Sequence, residues 1–98
     1  MPEDPVKVAP HVYKVVFEND RVRVLEAREK PDDKTPMHFH PDMVAIVVRG
    51  GKVKFTSPDG QSMEAEVADG QVMFMEATEH STENVGTNEF DVFLVELK

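Results

Sequence analysis

Short runs rich in Val, Phe, Thr and Tyr follow one another along the chain, and the spacing typical of an amphipathic helix is nearly absent. Turn residues separate the runs, as in Pro58-Asp59-Gly60, where Pro presets φ, Asp can bond its own backbone and Gly supplies a positive φ. The pattern predicts about eight short strands, at Tyr13–Glu18, Arg21–Glu29, Asp42–Val48, Lys52–Ser57, Ser62–Val67, Gln71–Glu76, Ser81–Val85 and Phe90–Leu97.

The predicted strands need partners along their edges, and a small all-β domain obtains them by closing its sheet or by packing two sheets as a jelly roll. We therefore predict a single-domain, all-β jelly-roll barrel over residues 13–98, with room inside for packed side chains or one small ligand. Residues 1–12 contain Pro2, Pro5 and Pro10. They are expected to form an extended N-terminal arm along a sheet edge or a neighbouring subunit.

Composition narrows the classes of partner. The chain has 98 residues, which suits one domain, and its 11 basic against 19 acidic residues give a net charge of −8. That balance disfavours nucleic acid and anionic membranes as partners. No cysteine is present, so disulfides, thiolate metal sites and cysteine nucleophiles are excluded. With no secretory signal or membrane-spanning run visible, we expect a cytoplasmic protein.

Three of the four histidines are arranged as metal ligands could be. His38 and His40 flank Phe39, and residues two apart in an extended chain point to the same face. His80 can join them if its strand returns antiparallel to theirs. Three imidazoles on one side of a divalent cation leave the other positions open for water, oxygen or substrate. His11, beside Pro10, is expected to be structural or exposed.

Two stretches of the chain resemble the motifs of the cupin superfamily. Residues Pro36–Asp42, with the apolar strand Met43–Val48 and Gly50-Gly51 after them, resemble the first motif: His, any residue, His, three or four residues, Glu, six residues, Gly. Residues Asp69–Met75 and His80–Asn84 resemble the second, in which Gly precedes an apolar strand and a turn, followed by His and then Asn. The resemblance implies a double-stranded β-helix, and its motifs and strand pattern cover about residues 13–97.

The departures from the motif bear on the metal site. The position of the motif's Glu falls near Val44 and Ala45, so the resemblance implies a site with three histidines and no such carboxylate. Asp42, Glu76 or Glu79 could replace it, although an exposed carboxylate is the ordinary expectation. Small cupins of this kind occur in catabolic settings such as β-alanine breakdown, and three-His members include dioxygenases. The implied cofactor is a divalent transition metal, with Fe, Zn, Ni and Mn all open.

Two functions follow as expectations, and the catalytic residues stay open. The first is a mononuclear, dioxygenase-like metalloenzyme that acts on a small oxygenated acid or a diketone. The alternative is a non-catalytic cupin module that binds or senses a small ligand. Both imply a small-molecule partner, and the N-terminal arm together with the habit of the family suggests a homodimer.

Overall fold

The computed structural model describes residues 3–98 and places nine strands and one short helix there. Eight of these strands overlap the predicted ones, and three agree at both ends. The additional strand is His38–His40, which pairs with the strand that carries His80. The elements are α1 Pro5–Val8, β1 Tyr13–Glu18, β2 Val22–Glu29, β3 His38–His40, β4 Met43–Arg49, β5 Gly51–Thr56, β6 Ser62–Val67, β7 Val72–Met75, β8 Thr78–Asn84 and β9 Phe90–Leu97.

The strands form two antiparallel sheets. The five-stranded sheet has the order β1-β2-β9-β4-β7, and the four-stranded sheet has the order β3-β8-β5-β6. Neighbours in each sheet are mostly distant in sequence, as expected when two sheets are wound together into a jelly roll. The predicted all-β jelly-roll barrel is confirmed. None of the helices among residues 3–98 has the length and apolar character that crossing a membrane requires.

Side chains of β2, β4, β7 and β9 alternate between the interior and the outer face of the five-stranded sheet, whereas β1 buries only Tyr13. Leu25, Met43 and Val47 are almost fully buried, and they form part of one apolar cluster with residues of β9. Each large apolar side chain removed from water in this way stabilises the fold by roughly 1.5–3 kcal/mol. On β9, Val92 and Leu94 point inward, so Glu96 shares their face.

The segment before β1 differs from the predicted extended arm. Pro5–Val8 form a helical turn, capped by the Asp4 carboxylate, which accepts a hydrogen bond from the Val6 amide at 2.9 Å. Pro at the first helical position suits the turn because its missing N–H would be unpaired there anyway. Ala9 and Val12 are buried in the apolar core of the same chain. The segment is therefore part of its own domain, while Met1 and Pro2 lie outside the described residues.

Two backbone positions explain local features of the motif region. Asp32, in the loop before β3, adopts a positive φ of 73°. Aspartate is among the few residues that tolerate this conformation. At Gly50, a Cβ atom would lie 2.0 Å from the carbonyl oxygen of Val67, so the close approach of β6 requires glycine there.

Candidate metal centre

The three predicted histidines lie together inside the barrel. His38 and His40 project from the same face of β3, and His38 is directly opposite His80 in the antiparallel pairing of β3 with β8. All three are buried, and one ring nitrogen from each lies within 4.8 Å of the others. The ring centroids are 4.8 to 5.2 Å apart. The strand register thus forms a group able to hold a metal ion.

Hydrogen bonds orient two of the imidazoles. His38 donates from Nδ1 to the carbonyl oxygen of Pro36 at 2.8 Å, and His40 donates from Nδ1 to Glu96 Oε2 at 2.8 Å. Because each Nδ1 keeps its proton, the lone pair of each ring lies on Nε2. A ligating histidine ordinarily donates its other N–H to a carbonyl or carboxylate in this way, which fixes the tautomer and the orientation of the ring.

The state of the remaining nitrogens fits a metal ion. His40 Nε2 is fully buried and has no hydrogen-bond partner, a costly condition for a polar atom in the interior. Burial lowers the pKa of His38 to about 4 and that of His80 to about 3, so both are neutral at physiological pH. Neutral imidazoles with inward lone pairs are the form that ligates a divalent cation.

Glu96, on β9, links His40 to Arg23 on the neighbouring strand β2. Its Oε1 atom accepts hydrogen bonds from the Arg23 guanidinium, with an Nη2-to-Oε1 distance of 2.9 Å, while Oε2 accepts from His40. Arg23 in turn pairs with Asp4, with its Nη1 atom 2.9 Å from Oδ2. The buried carboxylate is therefore held at both oxygens. A charge-assisted arrangement of this kind rigidifies the His40 ring.

Tyr13 lies beside the three histidines on the opposite sheet. Its ring centroid is 5.0 Å from that of His38 and 5.6 Å from that of His40. The phenol donates to His38 Nε2 at 3.0 Å, and burial raises its pKa well above the usual range. This proton is therefore retained, and the hydrogen bond occupies the lone pair that His38 would offer to a metal.

Among residues 3–98, none of the carboxylates of Asp42, Glu76 and Glu79 lies with the three histidines in a group that could hold a metal ion. Asp42 Oδ1 accepts from the Ala77 amide at 2.8 Å, so it anchors the turn before β8. Glu79 pairs with Phe39, whose side chain leaves β3 on the face opposite the histidines. Glu76 borders the cavity but is not brought to the histidines. The alternative that one of them replaces the missing Glu finds no support in this arrangement.

A cavity of about 610 Å³ lies between the two sheets and reaches His40 and His80. Phe55, Met73 and Met75 line it. Phe93 and Val95, on the outer face of β9, do not. Their neighbours Val92 and Leu94 are the buried ones, so the opposite parity of β9 points into the barrel.

A second buried carboxylate, Glu29 at the end of β2, lines the same cavity. Only 3% of its surface is exposed, and Oε2 accepts a hydrogen bond from Thr82 Oγ1 at 2.9 Å. Burial raises the pKa of Glu29 to about 7. Asn84 donates from Nδ2 to the Glu29 carbonyl at 2.7 Å and accepts from the Gly86 amide. Asn84 is thus a turn-forming and hydrogen-bonding residue.

Sequence reasoning found the histidines and missed the groups around them. Glu29, Glu96 and Tyr13 were not singled out, yet a signal for two of them is present in the chain. Leu25-x-Ala27-x-Glu29 and Val92-x-Leu94-x-Glu96 each place an acidic residue at the parity of buried apolar positions. A carboxylate at such a position needs a hydrogen-bonded partner or a function. His11, as expected, is exposed, and its Nε2 lies 3.0 Å from the Lys34 carbonyl oxygen.

The fold and the site together define a double-stranded β-helix with three inward-facing histidines. Among solved structures, a cupin domain from Bordetella pertussis Tohama I is similar, with 29% identity, a TM-score of 0.81, and coverage of 89% of this chain and 92% of that chain. An RmlC-like cupin family protein with a double-stranded β-helix fold from Methanocaldococcus jannaschii is 14% identical, with a TM-score of 0.68 and coverage of 88% and 78%. This chain is a small cupin.

A third similar structure is an uncharacterized conserved protein with a double-stranded β-helix domain from Klebsiella pneumoniae. It is 20% identical, with a TM-score of 0.65 and coverage of 87% of this chain and 75% of that chain. No protein-family model and no curated protein matches the sequence. Relatives at this level of identity establish the fold, and the function must be argued from the site.

Proposed function

We propose that this cupin binds one divalent transition metal through His38, His40 and His80, and that it is a dioxygenase-like metalloenzyme for a small oxygenated acid or diketone. The observation that carries the proposal is the buried, unpartnered Nε2 of His40, which lies in a cluster with ring nitrogens of the other two histidines. Such an atom is expensive to bury unless it gains a partner. A metal ion is a partner that His40 could share with His80 and with His38, whose Nε2 would give up its hydrogen bond from Tyr13.

The chemistry of the donor set fits this class of reaction. An ion held by three neutral imidazoles would keep its full charge, favour an anionic or enolisable oxygen ligand and, if it is iron, support chemistry with dioxygen. The chain supplies the surroundings. Glu96 holds the Nδ1 proton of His40 in place, and the largely apolar cavity limits the access of water to a bound molecule.

Elemental analysis of freshly purified protein tests the metal site. The wild-type chain and a His11→Ala variant should contain stoichiometric transition metal, because His11 lies outside the cluster. His80→Ala should lose most of it while keeping the circular dichroism spectrum of the wild type. Equal metal content in the His80→Ala and His11→Ala variants would contradict the proposal.

One observation favours the second candidate, a non-catalytic module that binds a small ligand. The phenol of Tyr13 satisfies His38 Nε2 at 3.0 Å, so a polar arrangement without metal is partly stabilised. Oxygen consumption by iron-loaded protein with small diketones, thiols and hydroxy acids separates the two functions. Turnover with any of them supports the enzyme, whereas ligand binding without oxygen uptake supports the module.

We also propose that the protein forms a homodimer through the outer face of the five-stranded sheet. One row of paired residues across this face is apolar on every strand. Its members are Phe17, Val24, Val95, Val44 and Phe74. The charged residues at its side are balanced in sign, namely Lys14, Glu26, Arg28 and Asp91. Two copies of a chain with net charge −8 would therefore meet here without the repulsion expected elsewhere.

The mass in solution tests this interface. Light scattering after gel filtration should give the mass of a dimer for the wild-type protein and the mass of a monomer for Phe74→Lys. Phe74 is 58% exposed and is not part of the apolar core, so this substitution should leave the fold intact. Met63→Lys, at a residue 66% exposed on the other sheet, is the matched control and should remain a dimer. A monomeric wild-type protein at micromolar concentration would refute the proposal.

A further inference from the structure

The cavity beside the histidines lacks the basic residues that a binding site for an acidic ligand ordinarily has, among the residues that the structure describes. Most of its lining is apolar, with Met, Val, Ala and Phe side chains from both sheets. Among the described residues, no lysine or arginine lines it, and its acidic residues are Glu29, Glu76 and Glu79, of which only Glu29 is buried. A carboxylate on a ligand would find no cationic partner inside except the metal itself.

Desolvation makes that absence decisive. An unpaired anion loses its hydration on entering an apolar cavity, and it recovers that loss only through an opposite charge or several donors. The buried carboxylate of Glu29 adds repulsion when it is ionised, and the whole chain carries a charge of −8. An anionic group is therefore acceptable only where it coordinates the metal, and the rest of the molecule should be uncharged.

Glu29 is placed to enforce this selection. It comes from the five-stranded sheet, lines the cavity with Thr82, and is almost completely removed from solvent. Thr82 donates to Oε2. Among residues 3–98, no group donates a hydrogen bond to Oε1, so this oxygen is left for the cavity. Burial also raises the pKa of Glu29 to about 7, which agrees with a site that resists a second negative charge.

We propose that the cavity selects uncharged, largely apolar molecules whose metal-binding oxygens are their only anionic group, and that Glu29 is the residue that excludes a remote carboxylate. Of the two substrate classes above, this favours the diketone over an acid with a further charged group. The inference rests on the proposed metal site, because that site anchors the oxygen end of the ligand.

A matched pair of probes tests the selection on zinc-loaded protein, where no redox turnover occurs. Heptane-2,4-dione and 4,6-dioxoheptanoate carry the same 1,3-diketone and differ only in a terminal methyl group or carboxylate. Calorimetric titration at pH 8 should show the dione binding at least about tenfold more tightly, which is the factor expected from 1.4 kcal/mol of unfavourable charge burial.

Variants assign the effect to Glu29. Glu29→Gln keeps an oxygen that can accept from Thr82 but removes the charge, so the acid should gain affinity and the preference should fall by about threefold or more. Glu66→Gln removes an exposed carboxylate on β6 outside the cavity, and its preference should match the wild type.

The outcomes separate the two proposals. Loss of zinc from the wild-type protein refutes the metal site itself. Retained zinc with equal binding of both probes, with tighter binding of the acid, or with binding of neither overturns the charge selection and leaves the metal site standing. An unchanged preference in Glu29→Gln overturns the role of Glu29.

Discussion

The buried carboxyl of Glu29 should make this protein less stable as pH rises, and the Glu29→Gln substitution should remove that part of the pH dependence. The pKa of Glu29 is raised from 4.5 to about 7 by burial, partly opposed by the hydrogen bond from Thr82. Asp33 and Glu83 raise it further, whereas His11 lowers it. Between these two pH values the folded chain holds a proton that the unfolded chain has released.

The sign and size follow from this difference. Because the folded state binds more protons than the unfolded state, the contribution of Glu29 to the free energy of unfolding falls as pH rises from about 4.5 through 7. At about 1.4 kcal/mol for each pKa unit, ionising the buried group costs on the order of 3 kcal/mol above that range. Glutamine has the same shape and no charge, so the Glu29→Gln variant avoids this cost.

Urea unfolding of both proteins, stripped of metal and measured at several pH values between 5 and 8.5, provides the test. The difference between the two free energies of unfolding should move in favour of Glu29→Gln by about 2.5 kcal/mol between pH 5 and 8.5. His38 and His80 also titrate, since their pKa values are lowered by burial, but they act equally in both proteins and cancel in the difference. Glu66→Gln, at an exposed position, should track the wild type at every pH. Parallel curves for wild type and Glu29→Gln would refute the reasoning.

Three further predictions concern the metal site. Tyr13→Phe removes the donor to His38 Nε2, so zinc affinity should rise about fivefold in a zinc titration. The metal-free variant should lose about 1 kcal/mol of stability in a denaturant titration. Weaker zinc binding would instead show that the phenol supports the bound state. Glu96→Gln should lower zinc affinity about 10- to 100-fold, because His40 loses a charged hydrogen-bond acceptor. Competition with a chelator measures this, and an unchanged affinity would contradict the role of Glu96 in orienting His40. Burial lowers the pKa values of His38 and His80 to about 4 and 3, so their protonation should not weaken zinc binding between pH 7 and 5.5. A steep loss of zinc affinity in the wild-type protein over this range would contradict the prediction.

The sequence by itself determined the strands and the three histidines. Alternation and turn residues place β1, β6 and β9 at the bounds that the structure has, because those signals act over a few residues. The same local rule puts His38 and His40 on one face of an extended segment. The short helix at Pro5–Val8 was missed because three prolines were taken to indicate an extended chain.

Only the tertiary structure decided what surrounds the histidines. Glu96 reaches His40 from 56 residues away, Thr82 reaches Glu29 from 53 residues away, and Tyr13 arrives from the edge of the other sheet. The same packing uses Asp42 for the turn before His80 and turns Glu79 away from the ligands. Contacts of this kind depend on strand order and register across two sheets, which local spacing does not encode, and they set the charge and the hydrogen bonds of the cavity.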